Sequence, residues 1–333
     1  MDMLPKEYNM ELLHSLYKIH TPDTKGEDQM REFIRSKLKG LNLDITKDKY
    51  GNLLIRPIAK SYNKHIVLSA HLDQVETNGK VEFLDYLDDV ILGYNAFEEQ
   101  TSLGADDKNG LYIILEAYRL LPESHYPTAV LFSQEEEGCI GSKQFNLSVL
   151  KHCQYGIVLD RRGYEEVLIK GAGNLFGYEL PVFLSKLWGW NTGNGSVSDT
   201  VSLSYELDSV NLSVGYYNAH QKTEYTNITE LCDVTDKIIT ALSSLQLPEF
   251  SQYKKDCWTE FKVALDGKRP KYVKPKPEFG FMYGRNNRYY TEMYNDVLDT
   301  LNRDFQGGYT TTNQQNPPPN PPSGGSAGKS PEN

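Results

Sequence analysis

The sequence predicts an α/β fold with a mixed, mostly parallel central sheet sandwiched by helices. Three observations carry that prediction. Short, mostly apolar runs, HIVLSA at 65–70, TAVLFS at 128–133 and YGIVLD at 155–160, have the composition of strands covered on both faces. A helical stripe of Leu111, Ile114, Leu115 and Tyr118 separates two of them. Alternation of strands with helices is the pattern of a sheet layered between helices.

Taken in order, the first 40 residues read as two helices broken at Thr21-Pro22-Asp23, with Leu12, Leu13, Leu16 and Ile19 at helical spacing before the break. Strands are expected at 52–56, 65–69, 128–133 and 155–160, with a helix over 107–121. A further strand is expected at 210–217. A helix follows at 227–245, its buried side formed by Leu231, Ile238, Ile239, Leu242 and Leu245. These elements make up a domain of residues 1–247. An appended segment, 248–306, is rich in Lys, Pro and Tyr and contains a helical pattern at 288–305. The tail, 307–333, is built of Pro, Gly, Ser, Thr, Asn and Gln, a composition too polar to offset chain entropy, and is expected to be disordered. The appended segment is a candidate for contact with a protein partner.

With 39% hydrophobic residues in 333, the chain can bury a full core. A net charge of −10 argues against nucleic-acid and anionic-membrane binding, which need basic surfaces. Cys139, Cys153, Cys232 and Cys257 show no CxxC pairing, so buried or idle thiols in a reducing compartment are expected rather than a disulfide framework or a structural zinc finger. The charged, amphipathic start lacks a signal-peptide core, and no apolar run is long enough to span a membrane. A cytoplasmic location is the expectation.

In such folds ligands gather at the carboxyl ends of the strands. Three strand ends here carry acids or a histidine: His71-Leu72-Asp73, Glu135-Glu136-Glu137 and Asp160. Packing does not explain a polar cluster repeated at that position. Asp106-Asp107, between Gly104 and Gly110, sits where a helix begins, and His220 lies beyond the last strand. Singly, each has a plain reading: a helix cap for Asp106-Asp107, a solvated charge run for 135–137. An Asp two residues after a strand-end His can accept its second N–H.

At these residues the sequence resembles the dinuclear-zinc exopeptidase superfamily, which includes peptidase T and the glutamyl and leucyl aminopeptidases. The matching motifs are His71-x-Asp73, Gly104-Ala-Asp106-Asp107-Lys108-x-Gly110, Gln134-Glu135-Glu136-x-Gly138, Asp160 and Asn218-Ala-His220-Gln-Lys-Thr-Glu224, over roughly residues 8–247. The resemblance implies two zinc ions, with cobalt or manganese as substitutes, bridged by Asp106. One ion would add His71 and Asp160, the other Glu136 and His220. Glu135 would be the general base, Asp73 would orient His71, and the Asp106–Asp107 peptide would be cis. Relatives insert a lid domain between the positions of Asp160 and His220, or an extra domain between those of His71 and Asp106. Here those intervals are 60 and 35 residues, too short for either, so a lidless version is expected.

The implied function is exopeptidase action on short peptides, from the N-terminus. An N-acyl amino-acid amidohydrolase or carboxypeptidase on aminoacyl or acylamino substrates would use the same metals, and a non-catalytic binding protein could keep the fold. Arg161-Arg162 is a candidate for a substrate carboxylate or else a surface salt bridge. Asp199 is a candidate for a substrate amino group or else a helix cap. The loop 188–195 is a candidate rim of the site. Tyr216 and Tyr217 read as strand packing, and His14, His20, His65, His125 and His152 are assigned no metal role.

Overall fold

The computed structural model describes residues 8–58, 66–171, 174–177 and 179–244. The expectations for 248–306 and 307–333, and the C-terminal boundary at 247, lie outside the described residues.

Two helices open the chain, α1 (Met10–Lys18) and α2 (Thr24–Lys37). The side chains of Asn9 and Asp23 cap them by accepting the N–H groups of Leu12 and Gly26. Strands β1 (Leu43–Lys47), β2 (Leu53–Pro57) and β3 (Ile66–His71) follow, then β4 (Phe83–Leu87), β5 (Val90–Tyr94) and β6 (Gln100–Thr101). Next come α3 (Ala105–Leu120), β7 (Thr128–Phe132), α4 (Ile140–Gln144), β8 (Tyr155–Arg161), β9 (Glu166–Gly171), β10 (Asn174–Leu175) and α5 (Glu179–Trp188). The described fold closes with β11 (Asn191–Gly195), α6 (Asp199–Leu203), β12 (Asp208–Ser213), β13 (Tyr216–Tyr217), β14 (Tyr225–Asn227) and α7 (Ile228–Ser244).

The main sheet runs β1-β2-β7-β3-β8-β12-β9-β10, with β11 also on β9. Its centre is parallel: β7, β3, β8 and β12 point the same way, while β2 and β9 join antiparallel. This is the expected mixed, mostly parallel sheet. No inserted lid interrupts the described residues, and none of their helices is long and apolar enough to cross a membrane.

Helix α3 departs from the one-stripe expectation. It is buried from Ala105 through Tyr118, because α1 and α7 cover the side turned away from β3 and β8. Gly110 permits its close seat on the sheet: a Cβ there would lie 2.3 Å from the Leu159 carbonyl. On the opposite sheet face, Val67, Val130, Phe132 and Val158 pack with Leu203 and Leu207 of the α6 region.

Two further differences concern strands. The single strand expected at 210–217 is two, broken at Val214-Gly215, where Gly215 has φ +76°. Beyond the break the chain joins a second sheet, β13-β14-β5-β4 with β6 on β5. The loop expected at 188–195 is the end of α5 followed by β11, paired parallel to β9, and Trp190 is buried against Tyr164.

Candidate metal centre

Strand register builds one half of the site. In the β3–β8 pairing Ser69 faces Val158, so two residues on His71 stands level with Asp160. On the other side His71 pairs with Phe132, which brings the turn after β7 alongside. His71 Nε2 lies 3.0 Å from Asp106 Oδ1 and 3.7 Å from Asp160 Oδ1. His220 Nε2 lies 3.3 Å from Asp106 Oδ2 and 2.9 Å from Glu136 Oε1. The two oxygens of Asp106 thus face two histidines, each with one further carboxylate.

Asp106 reaches this position from the kinked start of α3. Asp106 and Asp107 have non-helical backbone angles, and the peptide between them is cis. Asp107 is fully buried and accepts the N–H groups of His71 and Gly110, each at 3.1 Å, which ties the helix start to the end of β3. Gly104 precedes it at φ +62°, where a Cβ would meet Lys108 Nζ at 2.7 Å and Gln74 Oε1 at 2.8 Å.

Asp73 acts in two directions. Its backbone carbonyl lies 3.0 Å from His71 Nδ1, nearer than its carboxylate at 3.4 Å. The carboxylate instead accepts the N–H groups of Glu135 (2.9 Å) and Glu136 (3.0 Å), seating the turn that carries both. Glu27 of α2, in a buried ion pair with Arg31, accepts the N–H of Gln134, whose φ of +52° aims that turn. Cys139 is buried, as expected, and its thiol donates to Glu135 Oε1 at 3.2 Å, which places it beside the site. Asp199 is 2% exposed, and its Oδ1 has no hydrogen-bond partner. The Glu135, Cys139 and Asp199 ligand atoms lie within 4.8 Å of one another.

Arg161 is not brought to the centre. It follows Asp160 along β8, so its side chain leaves by the other face, and Nε bonds Glu166 at 2.8 Å. Tyr216, expected as packing, is buried and sends its hydroxyl to 3.5 Å from Asp160 Oδ1. Among the described histidines outside the centre, His20 pairs with Glu76, His14 with Tyr86 and His125 with Ser124.

Burial would raise Asp106, but His220 and His71 outweigh it and hold that carboxyl well below its ordinary value, whereas other carboxylates of the centre are short of positive charge. Burial, then repulsion from Asp106, pushes Asp160 up to about 7. Burial likewise pushes Glu135 up to about 8, with Asp160 and Glu136 adding to it. Asp107 and Asp199 are raised by burial and then by Asp160 and Glu135 respectively. Burial alone would lower His71, but Asp106, Asp160 and Asp73 outweigh it and hold it well above the ordinary imidazole value. Asp106 and Glu136 raise His220 to about 10.

This donor set fits a pair of cations. The ligand atoms of His71, Asp106 and Asp160 lie within 4.8 Å of one another, as do those of Asp106, Glu136 and His220. Glu136 Oε1 is buried, and the nearby His220 nitrogen lies outside hydrogen-bonding alignment, leaving that oxygen without a donor. Mixed imidazole and carboxylate ligation suits zinc, and also cobalt or manganese.

Comparison with known proteins agrees with the fold. Residues 52–173 match the family model of peptidase family M28. The chain is similar to YqjE of Bacillus subtilis (strain 168), 28% identical over 153 residues, 42% of this chain and 40% of that protein. It is also similar to the cytosol non-specific dipeptidase of Escherichia coli (strain K12), 32% identical over 118 residues, 33% of this chain and 24% of that one. The match thus spans less than half the length of either curated relative. Among solved structures, it is similar to aminopeptidase PepT from Bacillus cereus ATCC 10987 (TM-score 0.57, 16% identity, 71% of this chain and 98% of that chain). A tripeptidase from Staphylococcus aureus subsp. aureus Mu50 gives a TM-score of 0.58 at 16% identity, over 70% of this chain and 96% of that chain. The TET aminopeptidase from Thaumarchaeota archaeon SCGC AB-539-E09 gives 0.57 at 12% identity, over 75% and 99%. The resemblance to the zinc exopeptidase superfamily holds, and the described residues carry its fold.

Proposed function

We propose that the protein is a metal-dependent exopeptidase that removes residues from the N-termini of short peptides, with two zinc ions at the centre. The observation that carries the reading is the pairing of two histidine–carboxylate groups through the two oxygens of Asp106. His71 and Asp160 would hold one ion, Glu136 and His220 the other, with Asp106 between them. When bound, the ions supply Lewis-acid polarisation of the scissile carbonyl and a water acidic enough to react near neutral pH.

The chain's own residues do the rest. Glu135 takes the proton of the attacking water and delivers it to the leaving amine, from a turn whose backbone Asp73 holds. Asp73 fixes Glu135 and Glu136 through their backbone. Asp199, buried and with one oxygen unpartnered beside Glu135, supports an N-terminal preference, because a substrate ammonium there would satisfy it. Arg161 gives no comparable support to a carboxypeptidase reading, since its guanidinium engages Glu166. A reducing, cytoplasmic setting is part of the proposal, supported by the reduced thiols of Cys139 and Cys232.

The test is metal content by plasma mass spectrometry together with hydrolysis of matched di- and tripeptides, free-amine and N-acetylated. Close to two ions per chain, chelator-sensitive cleavage confined to free-amine peptides, and a raised KM in Asp199→Asn are expected. Cleavage confined to N-acetylated peptides would replace the aminopeptidase with an acylamino hydrolase. No bound metal after zinc is supplied, and no cleavage, would leave a binding protein on this fold.

A further inference from the structure

His220 is the exposed member of the centre. Its side chain is 49% exposed, and it rides on the turn 218–224, where Asn218 and His220 both take positive φ. The turn is closed internally by Gln221 N–H to the Asn218 carbonyl, Glu224 N–H to the Gln221 carbonyl and the Asn218 amide to the Thr223 carbonyl. Those bonds shape the turn, and the β13–β14 pairing carries its two ends on the second sheet; its tie to the start of α3 is made elsewhere. His71 and Asp160 are placed by strand register, and Glu136 by Asp73.

Glu224 ends the same turn, and its carboxylate is 1% exposed. Oε2 accepts the Ser102 hydroxyl at 2.6 Å and the Ala105 N–H at 3.1 Å, and Oε1 accepts the Asp106 N–H at 3.3 Å. Ser102 Oγ in turn accepts the Gly104 N–H at 3.0 Å. One buried carboxylate from the His220 turn therefore holds the whole approach to Asp106. A carboxylate is costly to bury, and here three donors offset that cost where an apolar side chain would have filled the space without it. The partners are 118 to 122 residues away in sequence, so the contact serves the tertiary relation of two segments.

We infer that Glu224 is a positioning residue, which locks the His220 turn to the backbone of Asp106 and so sets the geometry of the ion held by Glu136 and His220. The inference rests on the two-ion reading of the centre. It assigns Glu224 an unequal effect: Asp106 is common to both ions, but His71 and Asp160 stay in strand register and Asp107 still ties the start of α3 to His71, so the ion at His220, whose ligand shares the Glu224 turn, loses more.

The test is titration of metal-free full-length protein with zinc alone, against a chromophoric chelator, for wild type, Glu224→Ala, Glu224→Gln and His220→Ala. In wild type, two ions are expected. In Glu224→Ala the ion at His220 should bind about 10–100-fold more weakly, and the ion at His71 should lose clearly less. His220→Ala should show the same site weakened further. Glu224→Gln, which keeps one acceptor oxygen, should fall between wild type and Glu224→Ala, and it carries the test if the alanine variant does not fold. Two unchanged zinc affinities in a folded variant, with only thermal stability reduced, would overturn the inference and leave Glu224 a structural carboxylate. Equal weakening of both ions would also overturn it. No zinc binding by wild type would instead remove the metal centre itself, a separate result.

Discussion

Glu135 and Glu136 are adjacent, yet the structure gives them different surroundings. Glu136 faces His220 and Asp106, whereas Glu135 faces Cys139 and Asp199 while also lying near His71. The proposed reading takes Glu136 as ligand and Glu135 as base, and Glu135→Gln tests that division. The variant should retain both metals and lose about 10²–10⁴-fold in kcat, read by plasma mass spectrometry and steady-state kinetics. Loss of metal along with turnover would show the two roles to be reversed. The residues legible in the sequence, His71, Asp106, Glu136, Asp160 and His220, stand at element ends, where polar side chains are conspicuous against apolar runs. Asp107 and Glu224 were visible only as members of motifs. Their work is done by burial and by backbone donors brought in from other segments, which no local pattern records. Cys139 was hidden for the same reason.

At the scale of elements, apolar strands and the α3 stripe were readable because the local hydrophobic period and the tertiary burial agree. The second sheet was not. Its β4 strand, FLDYL, is largely exposed, and its β13 and β14 are two and three residues long, so neither alternation nor length marks them. The seating of α3 on β8 was equally hidden, because it depends on the missing side chain of Gly110. A methyl there would stand 2.3 Å from the Leu159 carbonyl and 2.5 Å from Asp107 Oδ1, forcing the helix start away from the sheet. Gly110→Ala should therefore destabilise the protein by about 1–3 kcal/mol, as overpacking does, despite alanine's better helix propensity. Urea unfolding followed by circular dichroism measures it; an unchanged or higher midpoint would mean that α3 can shift without cost.

For the whole molecule, the centre sets how stability depends on pH before metal is added. Asp160 and Glu224 are raised to about 7 and Glu135 to about 8, each first by burial. A carboxyl whose pKa is raised on folding holds its proton more tightly folded than unfolded. Between its ordinary value and its raised one, folding takes up protons, and stability falls as pH rises. His71 and His220, raised by their carboxylate partners, add the same sign above their ordinary value of about 6.5. His14 and His20, lowered by burial, oppose it from the partly exposed surface, where solvent weakens the effect. Lys108, lowered by burial to about 7, opposes it only above that pH. From about pH 5 to 7 the carboxyls of the centre therefore prevail. Chelated protein should melt at a lower temperature at pH 7 than at pH 5.5. Zinc, by neutralising the same carboxylates and stabilising the folded state through mass action, should raise the melting temperature more at pH 7. Scanning fluorimetry at the two values decides it. A metal-free melting temperature that rises from pH 5.5 to 7 would mean that the buried carboxylates find their countercharge within the chain, and the case for a cation between the two histidines would lose its electrostatic basis.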